Sequence, residues 1–552
     1  MQSTRWIVSA MALLALAEGC NEILGLDKRE PFPPDAGVGG GGAGAGEGGG
    51  STCEPSSVAP CYTGDPASTE NVGNCKSGEQ TCSADGMSYG ACVGDVTPAE
   101  EDCDVAGDED CDGVKCSEVI WASIHGDGGQ QRVNDVAVDS QGNVFVTGGF
   151  DSAISFGKTT LISFGGNDMY LAKFSAAGVP LWAKQFGSAG NDNVFTRVAV
   201  DAAGNVVLAG AFDSVIDFGG GVLASEGDDD VFVVKLDGAG VFQWAKHFGD
   251  SSAQGTSTMA VDMNGDIVLA GILTGSISFG GANLTAVSNV DIFLAKLKGR
   301  DGSHIWSKHF GITDGNRAYG VAVDASNNIA LVGTFASAIN FGLSPDTVIM
   351  STGARDIYLA KFSATGANSF SQAYGDDSFN QNPVAVAIDA MGNMIMTGTF
   401  DGSLTFPSQP TLAATGSSKD IWLAKLSPVG TPVWSKRFGG DGDDDVGDVV
   451  VDGSGNIVLT GRLTAAIDFG GAALESVDAS WDIYLAKLNS IGGHLWSHQY
   501  GDAEAQLGVS LGMSQGSGEI ALTSMSAGTI QLGATSLVSM GGYDLLIAKF
   551  AP

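Results

Sequence analysis

The chain has 552 residues, 82 of them Gly, and its 63 Asp+Glu against 26 Lys+Arg give a formal net charge of −37. Acidity of this size favours solubility and repels a phosphate backbone, which excludes nucleic acid as a partner. Seven of the 26 bases are one repeated lysine, so little positive charge remains to form a patch.

At the N-terminus Arg5 precedes the apolar run Ile7–Ala17, followed by Glu18-Gly19-Cys20. The run is too short to span a bilayer but fits the apolar core of a secretory signal. Cys20 directly after Gly19 resembles a bacterial lipoprotein cleavage site, which implies a signal over 1–19 and lipidation of Cys20. That pattern has Leu three residues before the cysteine and a small residue next. Here Ala17 and Glu18 hold those places, with Leu16 one step early. Asn21 is compatible with sorting to the outer membrane, and the lipid would be the only membrane contact. Over 20–52, Pro31, Pro33 and Pro34 lead into the glycine-rich run 37–50, a flexible tether that cannot bury a core.

Residues 53–116 contain Cys53, Cys61, Cys75, Cys82, Cys92, Cys103, Cys111 and Cys116. Eight cysteines crowded into a short polar segment predict a disulfide-stapled module in an oxidising compartment, with the pairing open. Within it Asp108, Asp110 and Asp112 alternate ahead of Gly113, as at the start of a Ca²⁺ loop, although Val119 stands where the loop's bidentate Glu belongs. The same string resembles a metal-binding motif of bacterial surface proteins that is sometimes linked to copper. Oxygen ligands place Ca²⁺ ahead of copper. A solvated acidic turn is the plainer expectation, and no cofactor is required.

From 117 to 552 one unit repeats. Its signature is an Asp, an apolar or aromatic pair and Ala-Lys: Asp168–Lys173, Asp230–Lys235, Asp291–Lys296, Asp356–Lys361, Asp420–Lys425, Asp482–Lys487 and Asp544–Lys549. A second landmark, an Asp closing a short apolar strand, stands at Asp139, Asp201, Asp262, Asp324, Asp389 and Asp452, with Ser514 in the seventh place. The spacings are 62, 61, 62, 65, 63 and 62 residues. Each unit parses into four short strands. In the first these are 134–139, a run from Val144 through Ile154-Ser155-Phe156-Gly157, 168–174 and 181–186. Six signatures are followed by a strand typified by Trp182-Ala183-Lys184, and a spare copy, Trp121-Ala122-Ser123, precedes the first unit. That displacement predicts an all-β, seven-bladed propeller in which the N-terminal strand completes the last blade and no sheet edge is left open.

The run Asp-x-x-Gly-Asn, as in Asp139–Asn143, followed by the Asp-Lys signature and a Gly turn resembles the bacterial seven-bladed β-propeller (SBBP-type) repeat. The resemblance covers about 121–552 and implies a fold and an exported or surface location, but no reaction.

The repeated residues suggest structural roles first. Asp139 and its equivalents accept turn N–H groups, and Trp182, Trp244, Trp306, Trp434 and Trp496, with Phe370 in one unit, pack between blades. His247 and His309 share one repeat position and are spread around the rim. The loops that enter first and third strands share one face and carry Asp228, Asp229, Asp376, Asp377, Asp441, Asp443, Asp444 and Asp445, which would suit cations or cationic partners, with a merely solvated face the plainer expectation. The leading expectation is a monomeric outer-membrane lipoprotein, surface or periplasmic, presenting a binding scaffold to a surface protein or polysaccharide without catalysis. The alternative is an extracellular hydrolase or lyase acting on a polysaccharide or other polymer. A catalytic site should break the repeat with unique polar residues, and the breaks noted (Phe370, Pro407/Pro410 and 514–519) supply no acid–base pair.

Overall fold

In the computed structural model, residues 53–64, 69–71, 74–98, 119–190, 195–313, 315–342, 348–376, 381–416, 418–478, 480–514, 516–533 and 535–552 are described. The signal and tether, Cys20, Cys103, Asp108, Asp110, Cys111, Asp112, Cys116 and Asp377 lie outside them.

The chain divides into two compact units. The smaller is built on an antiparallel pair, Val58–Cys61 with Gly78–Thr81. The disulfides Cys53–Cys82 and Cys61–Cys92 staple it, with Cα separations of 6.0 and 5.7 Å. Cys75 is also disulfide-bonded. These five cysteines are therefore not free thiolates for a metal, and covalent links replace the core that so polar a segment lacks.

The larger unit contains seven four-stranded antiparallel sheets. Blade 1 consists of Gln131–Val138, Val144–Phe150, Asp168–Phe174 and Pro180–Phe186. Blade 2 consists of Thr196–Val200, Val206–Phe212, Asp230–Leu236 and Phe242–Phe248. Blades 3 to 6 repeat the order from Gln254, Arg317, Gln381 and Asp444. Blade 7 takes Gln506–Met513, Ile520–Ser526 and Asp544–Phe550 from the C-terminal end, and its outermost strand is Val119–His125. The first strand of every blade touches the first strands of both neighbours, blade 7 against blade 1 included. The sheets therefore form a closed ring of seven, as the displaced strand predicts.

Third strands are buried along their whole length, as in Asp168–Phe174, and second strands are too, as in Val144–Phe150, except for one half-buried residue in each of blades 3, 6 and 7. Each lies mid-sheet with a neighbouring blade on both faces, so its sequence is a continuous apolar run rather than an alternation. The cores accordingly lie between blades. Val268 and Ile292 of blade 3 pack with Leu331, Phe341 and Tyr358 of blade 4. Across the seam, Val146 and Phe174 of blade 1 pack with Ala521 and Ile547 of blade 7.

One expectation is corrected. The second strand does not run on through Ile154–Gly157; it ends at Phe150, opposite Asp168, where the third strand begins. Ala153–Phe156 instead pairs with Thr159–Ile162 as a separate hairpin, and each blade carries one of this kind. Ile154, Phe156 and Leu161 turn this hairpin into the inter-blade core, so it is part of the packing and accounts for the long repeat period.

Antiparallel order puts the starts of first and third strands and the ends of second and fourth strands at one end of each blade. Seven blades of one orientation make these a single face, called the upper face below. Deleting 117–126 would strip the outer strand from blade 7 and expose the backbone edge of Asp544–Phe550. A sharply lowered melting temperature with concentration-dependent aggregation is expected; an unchanged melt by circular dichroism would show that Val119–His125 does not close the ring.

Candidate functional site

Most of the chemistry-bearing side chains fasten blades together. Each signature lysine is buried and paired with the landmark acid of its own blade, as in Lys235–Asp201 at 2.7 Å, Lys296–Asp262 at 2.6 Å and Lys425–Asp389 at 3.0 Å. Its ammonium also reaches the next blade, where Lys173 donates to Gly238 O at 3.0 Å and Lys235 to Gly299 O at 2.9 Å. In blades 1 and 2 the tryptophan opposite the lysine uses the same carbonyl, Trp182 Nε1 standing 3.3 Å from Gly238 O and Trp244 Nε1 3.3 Å from Gly299 O. Trp121 bonds Ala176 O at 3.0 Å, and its ring sits against Gly178, whose φ of +77° and lack of a Cβ leave room for it. The landmark Asp holds its turn as well: Asp139 Oδ1 accepts Gln141 N and Asn143 N, each at 2.9 Å. Blade 7 has Ser514 in place of that Asp, and Glu519 pairs with Lys549 at 2.7 Å instead.

The repeat breaks at the axis. Four residues before each landmark, just past a bulge in six of the blades, the first strands carry Asp135, Arg197, Thr258, Gly320, Ala385, Asp448 and Ser510. The polar members occupy consecutive blades across the seam. Ser510 Oγ lies 2.9 Å from Asp135 Oδ1 and 3.1 Å from Asp448 Oδ2. Asp135 Oδ2 accepts Val198 N at 2.9 Å and Asp448 Oδ2 accepts Leu511 N at 3.0 Å, each from the following blade. Arg197 closes the run, donating to Asn134 O at 3.0 Å and Ser257 O at 2.8 Å. Burial raises both carboxyls, that of Asp448 to about 6, with the Asp135 charge adding to the effect. One serine hydroxyl cannot donate to two carboxylates at once, so a proton on one of them suits this clasp. The sequence reading passed over these residues, although aligning the repeats and reading that single column would expose them.

The loop acids differ in exposure and partners. Asp228 and Asp441 are exposed, but Asp376 binds Gln381 Nε2 at 3.0 Å and Ser403 Oγ. Asp443 accepts Lys419 N at 3.1 Å, and Asp445 is held by Arg462 at 2.6 Å. Asp444 is buried, and Asp229 bonds the next blade through its carbonyl, which accepts Gln254 N at 2.7 Å. Among the described residues no three His, Cys, Asp or Glu side chains converge to hold a metal ion.

The same face carries a second set of non-repeating residues. Immediately before the signature Asp, blades 1 to 7 carry Asn167, Asp229, Val290, Arg355, Lys419, Trp481 and Tyr543. Blades 4 to 7 thus present two cations and then two aromatics, each exposed or half-buried. Arg462 lies 4.2 Å over the Trp481 ring, a cation–π contact that leaves a polarised plane on the surface. Arg132 and Arg317, both exposed, are the second residue of the first strand of blade 1 and the first residue of that of blade 4. The charge total conceals this, because a sum over the chain does not show that Arg132, Arg317, Arg355 and Lys419 stand at the upper ends of first and third strands.

No protein-family model matches the chain. It is similar to an uncharacterized WD repeat-containing protein of Acanthamoeba polyphaga mimivirus, 23% identical over 257 residues, which is 38% of this chain and 18% of that one. The chain thus spans less than a fifth of that relative's length. Among solved structures it is similar to a PL25 polysaccharide lyase, an ulvan lyase (11% identity, 76% of this chain, 97% of that one, TM-score 0.43). A puromycin hydrolase also matches (12% identity, 74% and 54%, TM-score 0.38).

Glu519→Gln would leave the fully buried Lys549 without its counter-charge, and a loss of about 3 kcal/mol is expected from denaturant unfolding. Hydrogen bonds with their lysines and turns hold Asp201, Asp389 and Glu519 below the usual carboxylate range despite burial. Their contribution is complete above pH 4–5 and is lost as pH falls through the lowered values, so acid unfolding should steepen below pH 4. Glu519→Gln should flatten that acid limb in a pH series of melts.

Proposed function

We propose that the protein is an exported, lipid-anchored scaffold whose propeller binds an anionic polymer, an acidic polysaccharide first, on its upper face. The observation that carries this is the non-repeating set Arg355, Lys419, Trp481 and Tyr543 in four consecutive blades, with Arg462 stacked on Trp481. The signature lysines, by contrast, are buried and bonded between blades. Here two cations and two aromatic rings occupy the same position in successive blades, a combination that suits carboxylate or sulfate groups carried on sugar rings. A rigid ring offering side chains from separate blades also suits an extended ligand better than a small one.

The disulfides of the small unit support an oxidising compartment. With Cys20 as the lipidated residue and 20–52 as the tether, the propeller would stand off an outer membrane, and the resemblance to the SBBP-type repeat fits that location. Palmitate labelling of cells should mark the protein, and Cys20→Ala should abolish the label. Labelling that persists would remove the anchor from this reading.

Binding is tested by calorimetry with alginate and heparin oligosaccharides beside neutral dextran. Micromolar binding of a charged oligosaccharide is expected, weakened at least about tenfold in Trp481→Ala and in Arg355→Ala and falling with salt. Heat with dextran alone, or with none of the three, would overturn the proposal. Shortening of the bound oligosaccharide would move the protein to the hydrolase or lyase alternative.

A further inference from the structure

At upper-face junctions the signature Asp of one blade lies near the residue at the entry to the first strand of the next, as Asp230 does to Gln254 and Asp482 to Gln506 around Gly249 and Gly501. Five described junctions put an amide there: Gln131, Gln254, Asn316, Gln381 and Gln506. The amide works in both directions. Gln254 Oε1 accepts Asp250 N at 3.1 Å, while its Nε2 donates to Asp250 Oδ1 at 2.8 Å and Thr274 O at 2.7 Å. Gln506 repeats this with Asp502 N, Asp502 Oδ1 and Ala527 O at 3.2, 2.9 and 2.9 Å. Between blades 5 and 6 the pair is changed twice. Gly440 replaces the loop Asp, and Asp444 replaces the amide.

Asp444 Oδ2 accepts Gly440 N at 3.1 Å, the bond an amide oxygen makes elsewhere. Its Oδ1 takes the place of the donating NH₂ group and has no hydrogen-bond partner. Asp420 Oδ1 is likewise unpartnered, and both residues are fully buried. A Cβ on the intervening Gly439 would stand 2.5 Å from Asp420 Oδ1 and 2.9 Å from Asp444 Oδ2, so the two carboxyls face each other across it. The other charged groups are unevenly placed. Arg437 binds Asp420 Oδ2 at 2.6 Å, Arg462 is engaged by Asp445, Asp443 adds a further anion, and the buried Tyr484 hydroxyl stays neutral. One adjacent guanidinium cannot neutralise two buried carboxylates.

We infer that Asp444 is protonated in the folded propeller, replacing the amide its junction lacks, and that its ionisation loosens the 439–444 connection between blades 5 and 6. A neutral carboxyl reproduces the amide pattern, with one oxygen accepting and one O–H donating toward the 464–466 turn, the segment that carries the amide's carbonyl partner in other blades. An ionised one sets two anions face to face out of water. Burial pushes the carboxyl up to about 7, opposed by the Gly440 bond and reinforced by Asp420, Asp443 and Asp445. A folded value above the unfolded 3.8 makes stability fall as pH rises from about 4 to about 7 and adds no slope beyond that. This device does not depend on what the upper face binds.

The test is a set of melting curves for the full chain between pH 5 and 8 in EDTA, comparing wild type with Asp444→Asn and Asp444→Gln. Asp448 contributes the same slope to all three and cancels in the difference. The variants should gain on wild type by at least about 3 °C from pH 5 to pH 8, levelling near pH 7.5. Parallel curves would overturn the inference. So would millimolar Ca²⁺ stabilising wild type but not Asp444→Asn at pH 8, since a cation would then fill the pair. If neither variant folds, hydrogen exchange of wild type decides: peptides spanning 438–446 should lose protection between pH 6 and 8 after correction for intrinsic rate, and unchanged protection would overturn it.

Discussion

Everything in the propeller depends on how one blade is held to the next. A four-stranded sheet with both faces apolar has no stable existence alone, and its core is completed only by its neighbours. Apolar packing is non-directional and would tolerate sliding. The buried lysine supplies direction: it is neutralised by an acid of its own blade and aimed at a carbonyl in the turn of the next, as Lys235 is between Asp201 and Gly299. A buried ion pair contributes little net stability against an apolar alternative. Its value here is register, because an ammonium has few acceptors within reach and only one blade spacing satisfies it.

The seam shows that the repeat preserves contacts rather than letters. Blade 7 lost the landmark Asp to Ser514, and Glu519 supplies the carboxylate to Lys549 from five residues further on. The blade 5–6 junction lost both members of an Asp–Gln pair and rebuilt it from Gly440 and Asp444, with Arg437 beside Asp420. At the axis, Asp448, Ser510, Asp135 and Arg197 link blades 6, 7, 1 and 2, so the chain is clasped side by side with the place where its two ends meet.

The division of labour follows from geometry. Residues that recur in every blade face a neighbouring blade and are consumed in joining it. Residues that differ from blade to blade include those at the axis, where several bond their neighbours, and those just before the signature Asp, which join the next blade through the backbone and leave the side chain exposed or half-buried. A column such as Arg355, Lys419, Trp481 and Tyr543 is therefore where a ligand can be recognised without weakening the ring.

Much of the fold was legible in the sequence because repetition supplies its own alignment. The seven Asp-Lys signatures, the 62-residue spacing and the spare Trp121 strand determined blade number, orientation and closure, and the cysteine crowding indicated disulfides. The break after Phe150 was not legible, since Ile154 and Phe156 continue an apolar pattern and only the pairing of Phe150 with Asp168 ends the strand. Nor was the site. The loop acids look alike in the sequence, yet Asp376 and Asp445 are held by Gln381 and Arg462, Asp444 is buried, and Asp228 and Asp441 are exposed. Sequence determines which side chains repeat, because repetition is a property of the chain. Which of them remain free for chemistry was decided only by the tertiary structure, because partners such as Asp135 and Ser510 stand 375 residues apart and meet only when the ring closes.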